Sequence, residues 1–371
     1  MNDHTLNFLY LVHGGNYLRN FFIILTFIIT GLVSAVVIGI DFETIRGTDD
    51  YDDEQEGLRE QIIIRFSHVV ATDTPKGQTA RKFAQLVEAK TNGRIKVHIY
   101  ANGSLYNDTN EWEAIQNGNV EMIAPATAKV SELFPKWGIL DLPYAFPTHE
   151  AVTEAYEGKI GKTLLANLHN TNVKGLTFWY NGYKQLTNQV HVIKLPDDVN
   201  RLHFRIMPSP VIKEQFNQVH ASTSSLPFNK TYQNLEVHFI DGQENTISNI
   251  YSKKFYEHQP FVTMSNHGYL GYGVFINKPF WESLSEYNQS AIQAALSEAT
   301  DWGKRHAIEM NDHYTRELRK KDVVTIHFLT TREREQWKNA WKAVYDQMTT
   351  IIGNELMDEV HRIQNKYNSR E

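Results

Sequence analysis

The residue that most invites chemistry is Arg205, set in Leu202-His203-Phe204-Arg205-Ile206-Met207 with apolar neighbours on both sides. A guanidinium in such a segment is costly to bury without a partner. Its planar fork matches a carboxylate through two parallel hydrogen bonds, which the point charge of a lysine cannot reproduce. Further along comes Ile240-Asp241-Gly242-Gln243-Glu244-Asn245, with two acids and two amides. Two readings follow. Either Arg205 pairs inside the protein with an acid such as Asp241 or Glu244, or it is held ready for the carboxylate of a small organic acid.

Other chemistries find little support. No Gly-x-Ser-x-Gly, phosphate loop or Gly-x-Gly-x-x-Gly follows a strand pattern. Sixteen histidines include no His-Glu-x-x-His pair, and His306 and His313, two helical turns apart, make an imperfect metal pair. The acidic run Asp49 to Glu56 lacks the alternating acids and sixth-position glycine of a calcium loop. The chain has no cysteine, which excludes disulfides, thiolate metal sites, cysteine nucleophiles and a lipoprotein anchor. Neither metal nor cofactor is expected; nothing in the motifs points to a hydrolase, although a nucleophile and base brought together only by the fold stay open at this point.

The elements that position these residues read as α/β. Ile62 to Phe66 has a buried-strand pattern, Thr74-Pro75 a helix start, Asn92-Gly93 a stop, and Ile95 to Ile99 the alternation of a second strand. A helix near Trp112 to Gln116 and a strand at Met122 to Ala124 continue a parallel layer. A second such series starts near Gly175 to Tyr180. It continues with a strand from Leu202 to Met207, a helix launched by Pro208-Ser209-Pro210, and a short strand at Val237 to Ile240. Tyr272 to Ile276 reads as a strand and Ser285 to Lys320 as a long helix. Trp337, Trp341, Tyr345, Met348 and Ile352 follow at helical spacing, most simply as core packing.

A chain of 371 residues exceeds one average core and suggests two domains. The net charge of −6 arises at the amino end: residues 1–60 carry ten acids against three bases, and the remainder, 33 against 34, is close to neutral. No basic surface for nucleic acid is indicated. Phe21 to Ile40 is apolar, follows Arg19, and at 1.5 Å per residue would span a bilayer core of about 30 Å. Residues 1–40 read as a signal peptide cut near Val33-Ser34-Ala35, or as an anchor that keeps Arg19 inside; both export the body. Residues 41–60 read as an acidic, flexible linker.

Several segments together resemble the periplasmic solute-binding proteins of TRAP (tripartite ATP-independent periplasmic) transporters, in their four-carbon dicarboxylate branch. They are Phe66-Ser67-His68-Val69-Val70 with Asp73-Thr74-Pro75-Lys76-Gly77, Tyr180 to Thr187, Phe204 to Met207, Pro227 to Tyr232, Asp241 to Asn245, and Asn266 to Tyr272 with Asn277-Lys278-Pro279-Phe280-Trp281. The resemblance covers roughly residues 60 to 360. It implies a two-lobed periplasmic-binding-protein-like fold with a ligand cleft, crossing strands and a long connecting helix. Lobe I comprises residues 61–181 and 271–310, and lobe II residues 182–270 and 311–371. It further implies that Arg205 grips one carboxylate with help from Asn245. Lys184 and Lys76 face the second, His68 and Thr127 donate hydrogen bonds, and Phe228 walls the pocket. For Lys76 and His68 an exposed surface position is the plain alternative. The implied partners are a small carboxylate, with a keto, sugar or sialic acid as alternatives to a dicarboxylate, and the membrane subunits of a sodium-coupled transporter or, alternatively, a membrane sensor. The location is periplasmic, with membrane contact only through residues 21–40. Departures from the family pattern stand at Arg201 and His238, where members have glycine, and at Lys230, where an acid is frequent.

Overall fold

The computed structural model describes residues 21–32, 34, 61–168 and 170–368. Residues 1–60 form one unit and 61–371 another. In the first, residues 21–32 are helical and exposed. The acidic linker at 41–60, and Val33 and Ala35 of the expected cleavage site, lie outside the described residues. No helix among the described residues is long and apolar enough to cross a membrane.

The described residues of the second unit form ten strands: β1 (Ile62–Ser67), β2 (Ile95–Tyr100), β3 (Met122–Ile123), β4 (Val173–Asn188), β5 (His203–Ile206), β6 (Ser222–Ser225), β7 (Gly242–Thr246), β8 (Phe261–Met264), β9 (Tyr269–Asn277) and β10 (Thr325–Phe328). Their order is β2-β1-β3-β9-β4-β7-β5-β6, with β8 on β4 and β10 on β8. β1 pairs in parallel with β2 and β3, and β5 in parallel with β6 and β7, so each expected α/β series forms its own parallel cluster. The two clusters are joined by antiparallel crossing strands. β4 pairs with β9 from Val173 to Tyr183, then with β7 and β8 from Lys184 to Asn188. One 16-residue strand therefore serves both halves.

The helix starts follow their local chemistry. The Thr74 hydroxyl accepts from the Gly77 amide ahead of the helix Pro75–Lys90, Ser209 does so for Pro210–Gln218, and Ser285 for the long helix Glu286–Arg319. The apolar stripe near the carboxyl end resolves into three helices, Thr331–Ala340, Lys342–Ile352 and Asn354–Asn368, with Trp337 and Trp341 fully buried in the main core. One expected strand is corrected. Val237 to Ile240 is a turn after the short helix Thr231–Glu236, with Val237 and Phe239 exposed, and the strand begins at Gly242. Alternation alone mistook a helix exit for a strand.

Candidate functional site

β5 delivers Arg205 from the second parallel cluster into a cavity of about 30 Å³ that the first cluster closes from the other side. Its walls include Val70, Asp108, Glu111 and Lys129 from the first half, Arg205, Phe228, Asn245 and Asn249 from the second, and Tyr272 from the crossing strand β9. Wider grooves exist, among them one of about 520 Å³ beside Tyr144, Trp341 and Tyr345. Charge rather than size singles out the smaller cavity, because it alone among these two contains the buried guanidinium.

Arg205 is 1% exposed. Its Nε and Nη2 both donate to the carbonyl of Leu226, at 3.0 and 2.9 Å. No carboxylate lies within salt-bridge distance of it among the described residues. Asp241 is engaged elsewhere, accepting from the His203 amide at 2.8 Å, and Glu244 is bound to Lys184 and His267. The internal pairing that the sequence left open is therefore not made. Burial pulls the guanidinium below its usual range, with Asp108 and Glu244 acting in the opposite sense from a distance. Phe228 presents its ring 6.0 Å from the Arg205 carbon, and its own amide donates to Asp108 at 3.0 Å. Asn245 is fixed by its neighbours: its Oδ1 accepts from the Thr246 amide and from Asn249 Nδ2.

The remaining expected residues divide. Lys184 is corrected: its ammonium lies 2.8 Å from Glu244 Oε1, both side chains are buried, and it does not line the cavity. A buried ammonium needs a counter-ion, and the chain supplies one from the neighbouring strand β7. His267 Nε2 meets the other Glu244 oxygen at 2.8 Å, and Ser265 Oγ meets His267 Nδ1 at 2.7 Å. Ser265, His267 and Glu244 thus form a serine–histidine–acid chain, but all are sealed from solvent and the acid is shared with Lys184. This arrangement is structural, since no substrate carbonyl could reach the hydroxyl.

Lys76 and His68 are fully buried, contrary to the plain alternative of surface positions. The Lys76 ammonium donates to the Ala124 carbonyl at 2.7 Å and sits 3.9 Å over the Tyr272 ring. Both ring nitrogens of His68 lack a hydrogen-bond partner among the described residues, and burial, with the Lys76 charge, pulls its pKa down to about 3. His68 is therefore a neutral imidazole at physiological pH. Thr127 is buried in the first turn of the helix Thr127–Leu133, beside the cavity-lining Ala126.

Sequence reasoning missed Asp108, Glu111 and Lys129. The Lys129 ammonium is 3.4 Å from Asp108 Oδ2. Asp108 Oδ1 and both oxygens of Glu111 are buried without a hydrogen-bond partner among the described residues. Burial pushes the Glu111 carboxyl above its usual range, against the pull of Lys76 and Lys129, and burial pulls Lys76 below its own. The signal available in the sequence was an acid pair at helical spacing, Asp108 and Glu111, following the second strand.

Comparison with known proteins shows the family and the fold. The family described as bacterial extracellular solute-binding protein, family 7 (DctP), matches residues 66–350. A C4-dicarboxylate-binding protein, DctB of Bacillus subtilis, is 44% identical over 336 residues, covering 91% of this chain and 96% of the relative. A TRAP periplasmic solute-binding protein of Shewanella oneidensis, crystallised with bound succinate, superposes with a TM-score of 0.79 at 35% identity, over 82% of this chain and 99% of the other. The sugar-acid-binding protein of Advenella mimigardefordensis, solved with galactonate, gives 0.80 at 29% identity, over 83% and 99%. Proteins of this kind bind solutes for transporters and are not enzymes. The chain belongs to family 7 of the bacterial extracellular solute-binding proteins, the DctP receptors of TRAP transporters.

Proposed function

We propose that this receptor binds a four-carbon dicarboxylate such as succinate, malate or fumarate, and that Arg205 takes one carboxylate in a bidentate grip. The observation that carries the reading is a buried guanidinium, facing a small cavity, whose hydrogen bonds go to a single backbone carbonyl rather than to an acid. An uncompensated buried charge is expensive, and a ligand carboxylate supplies the missing compensation. Asn245 and Asn249 orient that carboxylate, and Phe228 forms the apolar wall. Lys129, rather than Lys184, offers the ammonium for the second carboxylate, because Lys129 lines the cavity while Lys184 is committed to Glu244. Lys76, His68 and Thr127 support this wall from behind.

The bound acid favours lobes closed by hinge motion, since the charges gain strength as water leaves. We take the lobes to be residues 61–181 with 271–310, and 182–270 with 311–371; the change of partners along β4 supports that division. The loaded receptor then delivers its ligand to TRAP membrane subunits on the outer face of the membrane, with residues 21–40 acting as leader or anchor.

A second reading, a hydroxylated acid such as a sugar acid, draws on Asp108 and Glu111, which could accept from hydroxyls. Thermal-shift titration and calorimetry with succinate, malate, fumarate and galactonate separate the two. Stabilisation by the dicarboxylates, absent in Arg205→Ala, supports the first; stabilisation by galactonate alone overturns it.

A further inference from the structure

Glu111 is an unexpected residue in a cavity built around a cation for anions. It lies on the helix Glu111–Gln116, is 3% exposed, and lines the same cavity as Arg205. Neither of its oxygens has a hydrogen-bond partner among the described residues. The titratable groups around it are Lys76 from the helix Pro75–Lys90, Asp108 from the preceding loop and Lys129 from the helix Thr127–Leu133. Across the cavity stand Arg205 on β5 and Tyr272 on β9, with His68 behind, at the end of β1. Lys76 already donates to Ala124, and Lys129 lies nearest Asp108, so no cation is bonded to Glu111.

We propose that Glu111 is the specificity residue for the end of the dicarboxylate remote from Arg205, and that it works as a protonated carboxyl, taking up one proton from solvent as the ligand docks. This rests on the dicarboxylate reading above. Two carboxylates forced together in a dry site cannot both remain ionised, whereas a carboxyl and a carboxylate share one proton in a strong hydrogen bond. The proton comes from buffer, Glu111 changes from carboxylate to acid, and the ligand keeps its two negative charges. Burial of Glu111 in the closed cavity acts in the same direction, since it disfavours the charged form. In the open, wet cleft the carboxylate is ionised. A group whose pKa rises on binding takes up protons, so affinity falls as pH climbs from its open-state to its bound-state pKa.

The test is calorimetry with succinate at pH 7, 8 and 9, each in two buffers of different ionisation enthalpy, on the wild-type receptor and on Glu111→Gln. Glutamine keeps the size and offers an N–H donor, but cannot titrate. The expected wild-type result is uptake approaching one proton per succinate, with Kd weakening by up to about tenfold per pH unit. Glu111→Gln should bind succinate with a buffer-independent enthalpy and a flat Kd from pH 7 to 9. Buffer-independent heats in the wild type overturn the proposal while leaving the dicarboxylate reading intact. Proton uptake that persists in Glu111→Gln also overturns it, and moves the proton to Lys76. Absence of any succinate heat at pH 7 overturns the dicarboxylate reading itself, and this proposal with it.

Discussion

Two buried cations, Arg205 and Lys184, show how the same cost of burial is met in two ways. Lys184 has its counter-ion built in. Burial alone would push the Glu244 carboxyl up, but Lys184 and the hydrogen bond from His267 hold it down to about 2. A depressed carboxylate stabilises the fold above its unfolded pKa, so this contribution is present at neutral pH and lost as pH falls from about 4.5 towards 2. Lys184→Met strands Glu244 beside His267 and is expected to cost roughly 3–5 kcal/mol in chemical denaturation at pH 7. Arg205 is the opposite case. Arg205→Ala removes a charge without an acidic partner, so the ligand-free protein should melt no lower than wild type, while succinate affinity drops by about 2–5 kcal/mol in calorimetry. A ligand-free melting point well below wild type would mean that Arg205 serves the fold. Arg205, Asn245 and Phe228 line one cavity, and each stands in a segment recognisable in the sequence. Asp108 and Glu111 were not singled out, because acids beside the proposed carboxylate grip contradict simple charge matching, and only the folded cavity reveals that Asp108 Oδ1 and both Glu111 oxygens lack partners among the described residues.

The elements were read most securely where one side chain sets the backbone. Thr74-Pro75 and Ser209-Pro210 declare helix starts by capping chemistry, and both were found at the expected residues. The turn after Glu236 was misread because Val237 and Phe239 alternate like a strand while pointing to solvent. The backbone gives its cause: His238 has φ 55°, in the left-handed region that interrupts a strand. Arg201 is the same, with φ 66°, and these are the two positions at which the sequence resemblance implies glycine. The departures keep the left-handed turns and hold a costlier residue in them. A side chain there costs roughly 1–2 kcal/mol, partly offset by the greater chain entropy that glycine loses on folding. Arg201 is exposed, so Arg201→Gly is expected to raise the melting temperature by roughly 2 °C, with succinate affinity unchanged. A lower melting temperature in scanning calorimetry would show that the Arg201 side chain contributes contacts worth more than the strain.

At the scale of the whole molecule, the proposed binding at Arg205 matters only if it changes how the two strand clusters sit against each other, and Asn181 stands within the crossing strands that connect them. β4 carries an irregularity between Tyr180 and Gly182, just before it exchanges β9 for β7 and β8. Asn181 Nδ2 donates to the Tyr272 hydroxyl at 2.7 Å, and its Oδ1 accepts from Ser248 Oγ at 2.8 Å. Its carbonyl accepts from Asn311 Nδ2 at 2.8 Å, and Asn311 Oδ1 in turn accepts from the Ser248 amide at 2.9 Å. One residue therefore ties the crossing strands to the long helix and to the helix Ile247–Ser252, which follows Asn245. Tyr272, held by Asn181, also lines the cavity and lies under the Lys76 ammonium. Asn181→Ala removes its hydrogen bonds to the Tyr272 and Ser248 hydroxyls, leaving Ser248 with Thr246 Oγ1 at 3.2 Å and Tyr272 with Asn249, and is expected to cost about 1 kcal/mol of stability. Its more telling effect is on closure. If this network holds the closed arrangement, saturating succinate should compact wild type in small-angle X-ray scattering and compact Asn181→Ala less. Affinity should fall by roughly tenfold although Arg205 is untouched, because a ligand that selects the closed state binds more weakly when that state is less populated. Equal compaction and equal affinity in the two proteins would place the hinge elsewhere along β4 and β9.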